Sequence, residues 1–312
     1  MPQPIEGYLG KSKDIGVSMS RENILILTNP SDSRNRTALF GAYLAEAMGA
    51  NAVLVHLEKD QDMGYLASLY PEFESKRKEL SDFVNQANEK ELEKVKSFLS
   101  EKGLFVQTKS ISTESFEDSL SAFSKLRPKL IVIPREEENI RDYFLGSFLD
   151  ELIRKSPLPI LVHSGKEFKK IKNMMVPIAL QGLSENSLNM AQEMAVKLNS
   201  QIHFIHINSN QDSIDASSLV DLASDDWQRT QATLLTKKID QLATTEIRHK
   251  LRLIATDSKA KEKLLDIVEE EKPDLVVMAS SGKKALQRLY LGSYCEYMVK
   301  NTNANILIVK AP

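Results

Sequence analysis

The feature that most constrains how this 312-residue chain can fold is that it runs through one pattern twice. An apolar strand-like run, Asn23-Ile-Leu-Ile-Leu-Thr28, gives way to a polar turn and an amphipathic stretch from Arg36 to Ala47 that ends near Gly49. Asn173-Met-Met-Val-Pro-Ile178 opens the second half in the same way. It leads into Ser184 to Leu198, where Leu188, Ala191, Met194, Ala195 and Leu198 recur at helical spacing. Second strands follow at Ala52 to His56 and Gln201 to Ile207, then long polar helical segments at 72–102 and 216–245. Third strands near Leu104 to Ile111 and Arg252 to Ala255 precede short helices. Lys129-Leu-Ile-Val-Ile133 and Asp274-Leu-Val-Val-Met278 come next, apolar throughout as buried parallel strands are. Each half closes with a Gly-Ser pair, a helix and a last strand: Gly146-Ser147 and Pro159 to Val162, then Gly292-Ser293 and Asn305 to Val309. Both the Gly-Ser pairs and the closing strands are 146 residues apart. The chain therefore reads as two copies of one α/β unit joined near His163 to Lys170, each a parallel sheet with right-handed crossovers.

With 42% apolar and 27% charged residues, the chain has material for two cores, and its length suits two domains of about 150 residues. The closing strands are apolar edges that need cover, which pairing with each other would supply.

The loop after the fourth strand carries the chemistry. In the second half it reads Ala279-Ser-Ser-Gly282, nine residues, then Gly292-Ser293, with Leu286-Gln-Arg-Leu-Tyr-Leu291 between. A loop leaving the carboxyl edge of a parallel strand, near a switch in strand order, is where open α/β sheets bind ligands. Glycines let backbone N–H groups approach phosphate oxygens, and Gly-Ser at the next helix start adds a hydroxyl and the positive end of a helix dipole. Residues 279–292 hold Lys283, Lys284 and Arg288 with no acid, a formal +3. Counting back from Gly146-Ser147, the first-half window begins Ile133-Pro-Arg-Glu136. Glu136, Glu137, Glu138 and Asp142 outweigh Arg135 and Arg141 there, for a formal -2. An acid in that place repels phosphate and its Cβ blocks the approach, so the first half is predicted to bind no nucleotide.

The repeat and this loop resemble the universal stress protein family in its tandem two-domain form, from about residue 22 onward. That family's pattern is Gly, two residues, Gly, nine residues, then Gly followed by Ser or Thr; the second half matches three of the four positions, with Ala279 at the first glycine. The resemblance implies an α/β fold of two tandem open five-stranded parallel-sheet domains, a Rossmann variant like the adenine-nucleotide alpha-hydrolases, forming an internal pseudo-dimer. It divides the chain into a tail at 1–20, a domain at 21–164 with a degenerate site, and a domain at 171–312 that keeps part of one. Carried over position by position, the second pocket comprises Pro177, Ile178 and Ala179 after the first strand and Ile202 on the second. Met278, Ala279, Ser281 and Gly282 follow the fourth strand, and Gly292, Ser293, Tyr294 and Cys295 complete it. ATP or another adenine nucleotide, with Mg, is the implied ligand. Ala179, and Asn29 in the first half, stand where nucleotide-binding relatives carry an Asp that holds the base or ribose.

Other chemistries find less support. A net charge of -2 argues against nucleic acid, and no run approaches the roughly 20 apolar residues of a membrane span. Met1 to Ser20 lacks the apolar core of a signal peptide, so the expected location is cytoplasmic. Gly10-Lys11-Ser12 lacks the rest of a P-loop, and no Gly-x-Gly-x-x-Gly occurs. His203 and His206 lie three apart on a strand and point to opposite faces, so they are read as structural rather than as metal ligands. The single cysteine, Cys295, is read as a small buried hydrophobe and the single tryptophan, Trp227, as packing. The resulting expectation is a stress-response binding and signalling module, acting as a monomeric pseudo-dimer or a homodimer of tandem chains. Two alternatives stay open: a nucleotide-free interaction scaffold with both sites dead, and a slow ATP hydrolase, for which no water-positioning group or metal ligand is found in the loop.

Overall fold

The structure, a computed structural model, describes residues 22–27, 35–59, 71–113, 115–135, 143–178, 185–209, 225–242, 248–280 and 293–310. These fall into two compact units that divide between Pro134 and Arg135. The first unit contains β1 (Asn23–Leu27), α1 (Arg36–Met48), β2 (Asn51–Lys59), α2 (Pro71–Ser100), β3 (Val106–Thr113), α3 (Phe116–Lys125) and β4 (Pro128–Pro134). The second opens with α4 (Tyr143–Lys155) and β5 (Ile160–His163), which complete the first repeat. The second repeat follows: β6 (Asn173–Pro177), α5 (Glu185–Leu198), β7 (Gln201–Ser209), α6 (Asp225–Leu242), β8 (His249–Thr256), α7 (Ala260–Glu271), β9 (Leu275–Ala279), α8 (Ser293–Asn301) and β10 (Ile306–Val309).

Both repeats follow one strand order. In the first unit it is β3-β2-β1-β4, and in the second the equivalent strands run β8-β7-β6-β9 with β10 beyond. All these pairings are parallel. The central strands are apolar because both faces are covered: Ile24, Leu25, Ile26 and Leu130 through Ile133 are all fully buried. Helices α1 and α5 stop at equivalent places, the first at Gly49 (φ 69°) and the second at Asn199 (φ 50°). These left-handed residues end a helix by satisfying its last carbonyls.

The closing strands pair with each other, as their apolar edges required. β5 runs antiparallel to β10, with Leu161 opposite Leu307 and Ile306 and Ile308 opposite Val162 and Ile160. Leu161 and Leu307 are 146 residues apart, the spacing of the repeat itself, so the pairing has a local two-fold axis between equivalent residues. This explains why the compact division comes earlier than the repeat boundary. The last helix and strand of the first repeat find their partners in the second unit, where Arg154 also bonds Glu296 at 2.9 Å. No described helix is long and apolar enough to cross a membrane.

Candidate functional site

The order reverses between β6 and β9, adjacent parallel strands that leave a crevice beyond their carboxyl ends. Pro177 and Ile178 end one side of it and Met278 and Ala279 the other. α8 starts at Ser293, immediately after Gly292, so the first N–H groups of that helix lack intrahelical partners at the residue the glycine pattern predicts. Ala179, Ser281, Gly282, Gly292 and the cations Lys283, Lys284 and Arg288 lie outside the described residues, as do Asn29, Glu136 to Asp142 and the tail at 1–20.

The strand ends themselves are already satisfied. Ile178 N–H donates to Ile205 O at 2.8 Å, and Ile178 O meets His206 Nδ1 at 2.8 Å. Ala279 O accepts from Cys295 Sγ at 3.0 Å, and Ser280 N–H donates to Val309 O at 2.8 Å. These groups are committed to the fold and are not open to a bound molecule.

Ile202 does not join the others. It lies at the amino end of β7, opposite Met174, fully buried and remote from the carboxyl edge. Ile205 and His206 stand beside Pro177 and Ile178 instead. Strand β7 continues past the apolar run to Ser209, and this extra length carries its carboxyl end away from Ile202. Tyr294 is 39% exposed on the first turn of α8, while Cys295 is 1% exposed beneath Ala279.

Burial pushes the Cys295 thiol up to about 12 against the pull of the Lys310 ammonium, in keeping with an inert thiol. Burial likewise lowers Lys310 to about 8, against the favourable charge of any Cys295 thiolate. Its Nζ donates to Ile153 O at 2.6 Å and to Arg154 O at 3.4 Å, so a cation caps the carboxyl end of α4.

Residue-level reading missed His206 as part of this region. It is buried on β7, holds Ile178 O through Nδ1, and reaches Gln231 Oε1 of α6 through Nε2 at 2.8 Å. It is structural, as expected, but the structure it supports is the rim of the crevice. The sequence signal was its place on the face of β7 opposite His203. His203 Nδ1 lies instead 3.6 Å from Glu271, beside the Arg252–Glu271 ion pair at 2.6 Å. These three residues line a cleft of about 490 Å³ at the amino-terminal half of the same strands, away from the glycine loop. Among the described residues no group of three metal-ligating side chains comes together. Trp227 falls within α6.

The first repeat differs at both ends of the same loop. Arg135 N–H donates to His163 O as Ser280 N–H does to Val309 O, and Leu25 sits opposite Ile131 as Met175 does opposite Val276. Pro134, not Ile133, therefore occupies the place of Ala279. The equal count back from the Gly-Ser pair misaligned the window by one, because the first-repeat loop is a residue shorter. Ile133 is fully buried inside β4. Helices α4 and α8 end at equivalent residues, Lys155 and Asn301, but α4 starts at Tyr143. Gly146 and Ser147 are thus inside a helix whose extra first turn commits the Ser147 N–H to an intrahelical bond. Gly146-Ser147 therefore lies within a helix in the first repeat, whereas Ser293 begins one in the second.

The model of the Universal stress protein family matches residues 20–163 and again 170–310. The chain belongs to that family. It carries two tandem universal stress domains, and the architecture described above is theirs. Universal stress protein MJ0531 of Methanocaldococcus jannaschii is 26% identical over 148 residues, which is 45% of this chain and 83% of that protein. Among solved structures, a universal stress protein from Archaeoglobus fulgidus matches with a TM-score of 0.61 at 14% identity, over 94% of this chain and all of the other. Protein PA1789 from Pseudomonas aeruginosa matches with a TM-score of 0.60 at 13% identity, over 94% of this chain and 93% of its own. At these identities the structural matches speak for the fold alone.

Proposed function

We propose that the second universal stress domain binds an adenine nucleotide, ATP with Mg foremost, and that its occupancy sets the conformation or partner choice of a cytoplasmic stress-response module. The observation that supports this most is the start of α8 at Ser293, directly after Gly292, at the switch point of the strand order. Phosphates fit the donor set there: the N–H groups at a helix start, a Ser hydroxyl, Gly282 and Gly292 for close backbone approach, and the charges of Lys283, Lys284 and Arg288. The base is less well provided for. Ile178 has both backbone groups engaged, leaving the stretch from Ala179 onward and apolar contact with Met278 to orient it. The chain in this reading binds and signals, and does not catalyse.

Ala179 and Ala279 favour one second reading, a nucleotide-free scaffold that retains the fold. Thermal unfolding with and without millimolar Mg-ATP, beside a Gly282→Asp variant, separates the two. A ligand of the folded state adds about 2.7 kcal/mol at 100 times its Kd. The nucleotide reading expects a rise in Tm that the variant loses; no rise, and no nucleotide in the protein as purified, leaves the scaffold.

A further inference from the structure

We propose that Arg135, at the end of the first repeat's fourth strand, is a positioning residue for the second repeat's candidate site, holding α8 in place from its carboxyl end. The proposal rests on the nucleotide reading above for what α8 faces, and on its own geometry for how α8 is held.

Arg135 follows β4 directly, yet its guanidinium is spent on the other repeat. Nη1 donates to Val299 O, and Nη2 donates to Ala304 O at 3.3 Å. Val299 is in the last turn of α8, where the carbonyls have no intrahelical donor, and Ala304 is in the short connection to β10. One planar fork therefore ties the end of the helix to the strand that follows it and places a positive charge at the negative end of the helix dipole. The opposite end of α8 is held by the Cys295 thiol on Ala279 O. Helix α8 has only 9 residues, so a shift at its last turn is carried to Ser293 with little to absorb it.

The choice of residue is informative. The register puts Ser280 where the first repeat has Arg135, and that serine is small and buried. A buried arginine is a costly substitute for a serine: it is desolvated, and its Nε is buried with no acceptor. A position needing only to fill space would be filled more cheaply by an apolar side chain. Arg135 also opens the loop that in this repeat has lost both early glycines to Pro134 and Glu137. The residue at the head of the loop without those glycines thus holds the helix that follows Gly292 in the other repeat.

The test compares Arg135→Ser, the residue of the second repeat, with Arg135→Lys, which keeps the charge but not the fork. Hydrogen exchange of the full chain is followed in α5, α7 and α8, alongside the Tm shift produced by Mg-ATP. In Arg135→Ser the amides of α8 and residues 302–305 are expected to exchange about tenfold faster, with α5 and α7 changed by less than about threefold. The Mg-ATP shift should shrink, and Arg135→Lys should fall between the serine variant and the parent. Unchanged exchange in α8, or an equal rise through α5, α7 and α8, overturns the anchor. A loosened α8 with an undiminished Mg-ATP shift overturns its role at the site. If the parent itself gives no shift, the nucleotide reading fails while the exchange in α8 still decides whether Arg135 holds the helix.

Discussion

The two repeats reach the same strand–helix packing with different residues. In the first, α1 approaches β1 so closely that a Cβ on Gly41 would lie 2.6 Å from Ile26 Cγ1 and 2.8 Å from its Cδ1. The equivalent residues of the second repeat are Val176 and Ala191, both fully buried. A methylene has moved from the strand to the helix, and the sum is nearly the same. The short helices show the same freedom. Ser115 caps α3 by accepting the Asp118 N–H at 3.1 Å, whereas Lys259 precedes α7 with no side-chain cap. Where the repeats diverge in charge rather than volume, the difference falls on the units' ends: Lys310 and Cys295 form a buried pair, and Leu149 and Ser164 stand in their places in the first repeat. A repeated fold constrains summed volume and satisfied polar groups, and leaves open which residue supplies them.

The largest break in this comparison is expected from Gly41→Ala. Overpacking against Ile26 costs about 1–3 kcal/mol, of which the better helix propensity of Ala returns up to about 1. Adding Ile26→Val recreates the second repeat's pair and should recover part of the loss, read from denaturant midpoints. A double variant no better than the single would show that the backbones, not the side chains, set the spacing.

A smaller effect concerns the helix starts. Ser115→Ala removes a cap and should cost about 1 kcal/mol, while Lys259→Ser should add up to about 1 by supplying one and removing a cation from the positive end of α7. Equal and opposite shifts in Tm would mean that the two helices are interchangeable at this position.

The smallest difference at neutral pH is the titration of the Lys310–Cys295 pair. Lys310 titrates near 8 in the folded chain and 10.5 unfolded, so the unfolded chain holds the extra proton between these values and stability rises with pH across them. Cys295 acts oppositely: folded near 12 against 9.0 unfolded, it keeps a proton the unfolded chain has lost, and stability falls as pH rises above 9.0. Stability should therefore climb from pH 8 to 9 and then flatten. Cys295→Ala should extend the climb toward 10.5, and Lys310→Met should abolish it, as followed by denaturant midpoints across that range.

The strand–helix alternation and the two-fold repetition were legible in the residues, because both are written in local periodicity and spacing. Strand ends were not. β2 and β7 run past their apolar runs to Lys59 and Ser209, since parallel neighbours continue the hydrogen-bond ladder through polar residues, and this carried Ile202 out of the site. Gly146-Ser147 reads identically to Gly292-Ser293, yet the residues before it extend α4 by a turn and bury the signal inside a helix.

The sequence by itself determined that this chain would be two tandem universal stress domains and that only the second keeps Gly282 ahead of its Gly-Ser pair, because apolar periodicity and glycine placement are written within a few residues of themselves. The tertiary structure alone decided that His206 would hold the rim of the crevice, that Lys310 would cap α4, and that Arg135 would cap α8. Each of these contacts joins residues tens to hundreds of positions apart, at helix ends whose unpaired carbonyls, or strand ends whose free backbone groups, accept whichever donor the packed chain brings within reach.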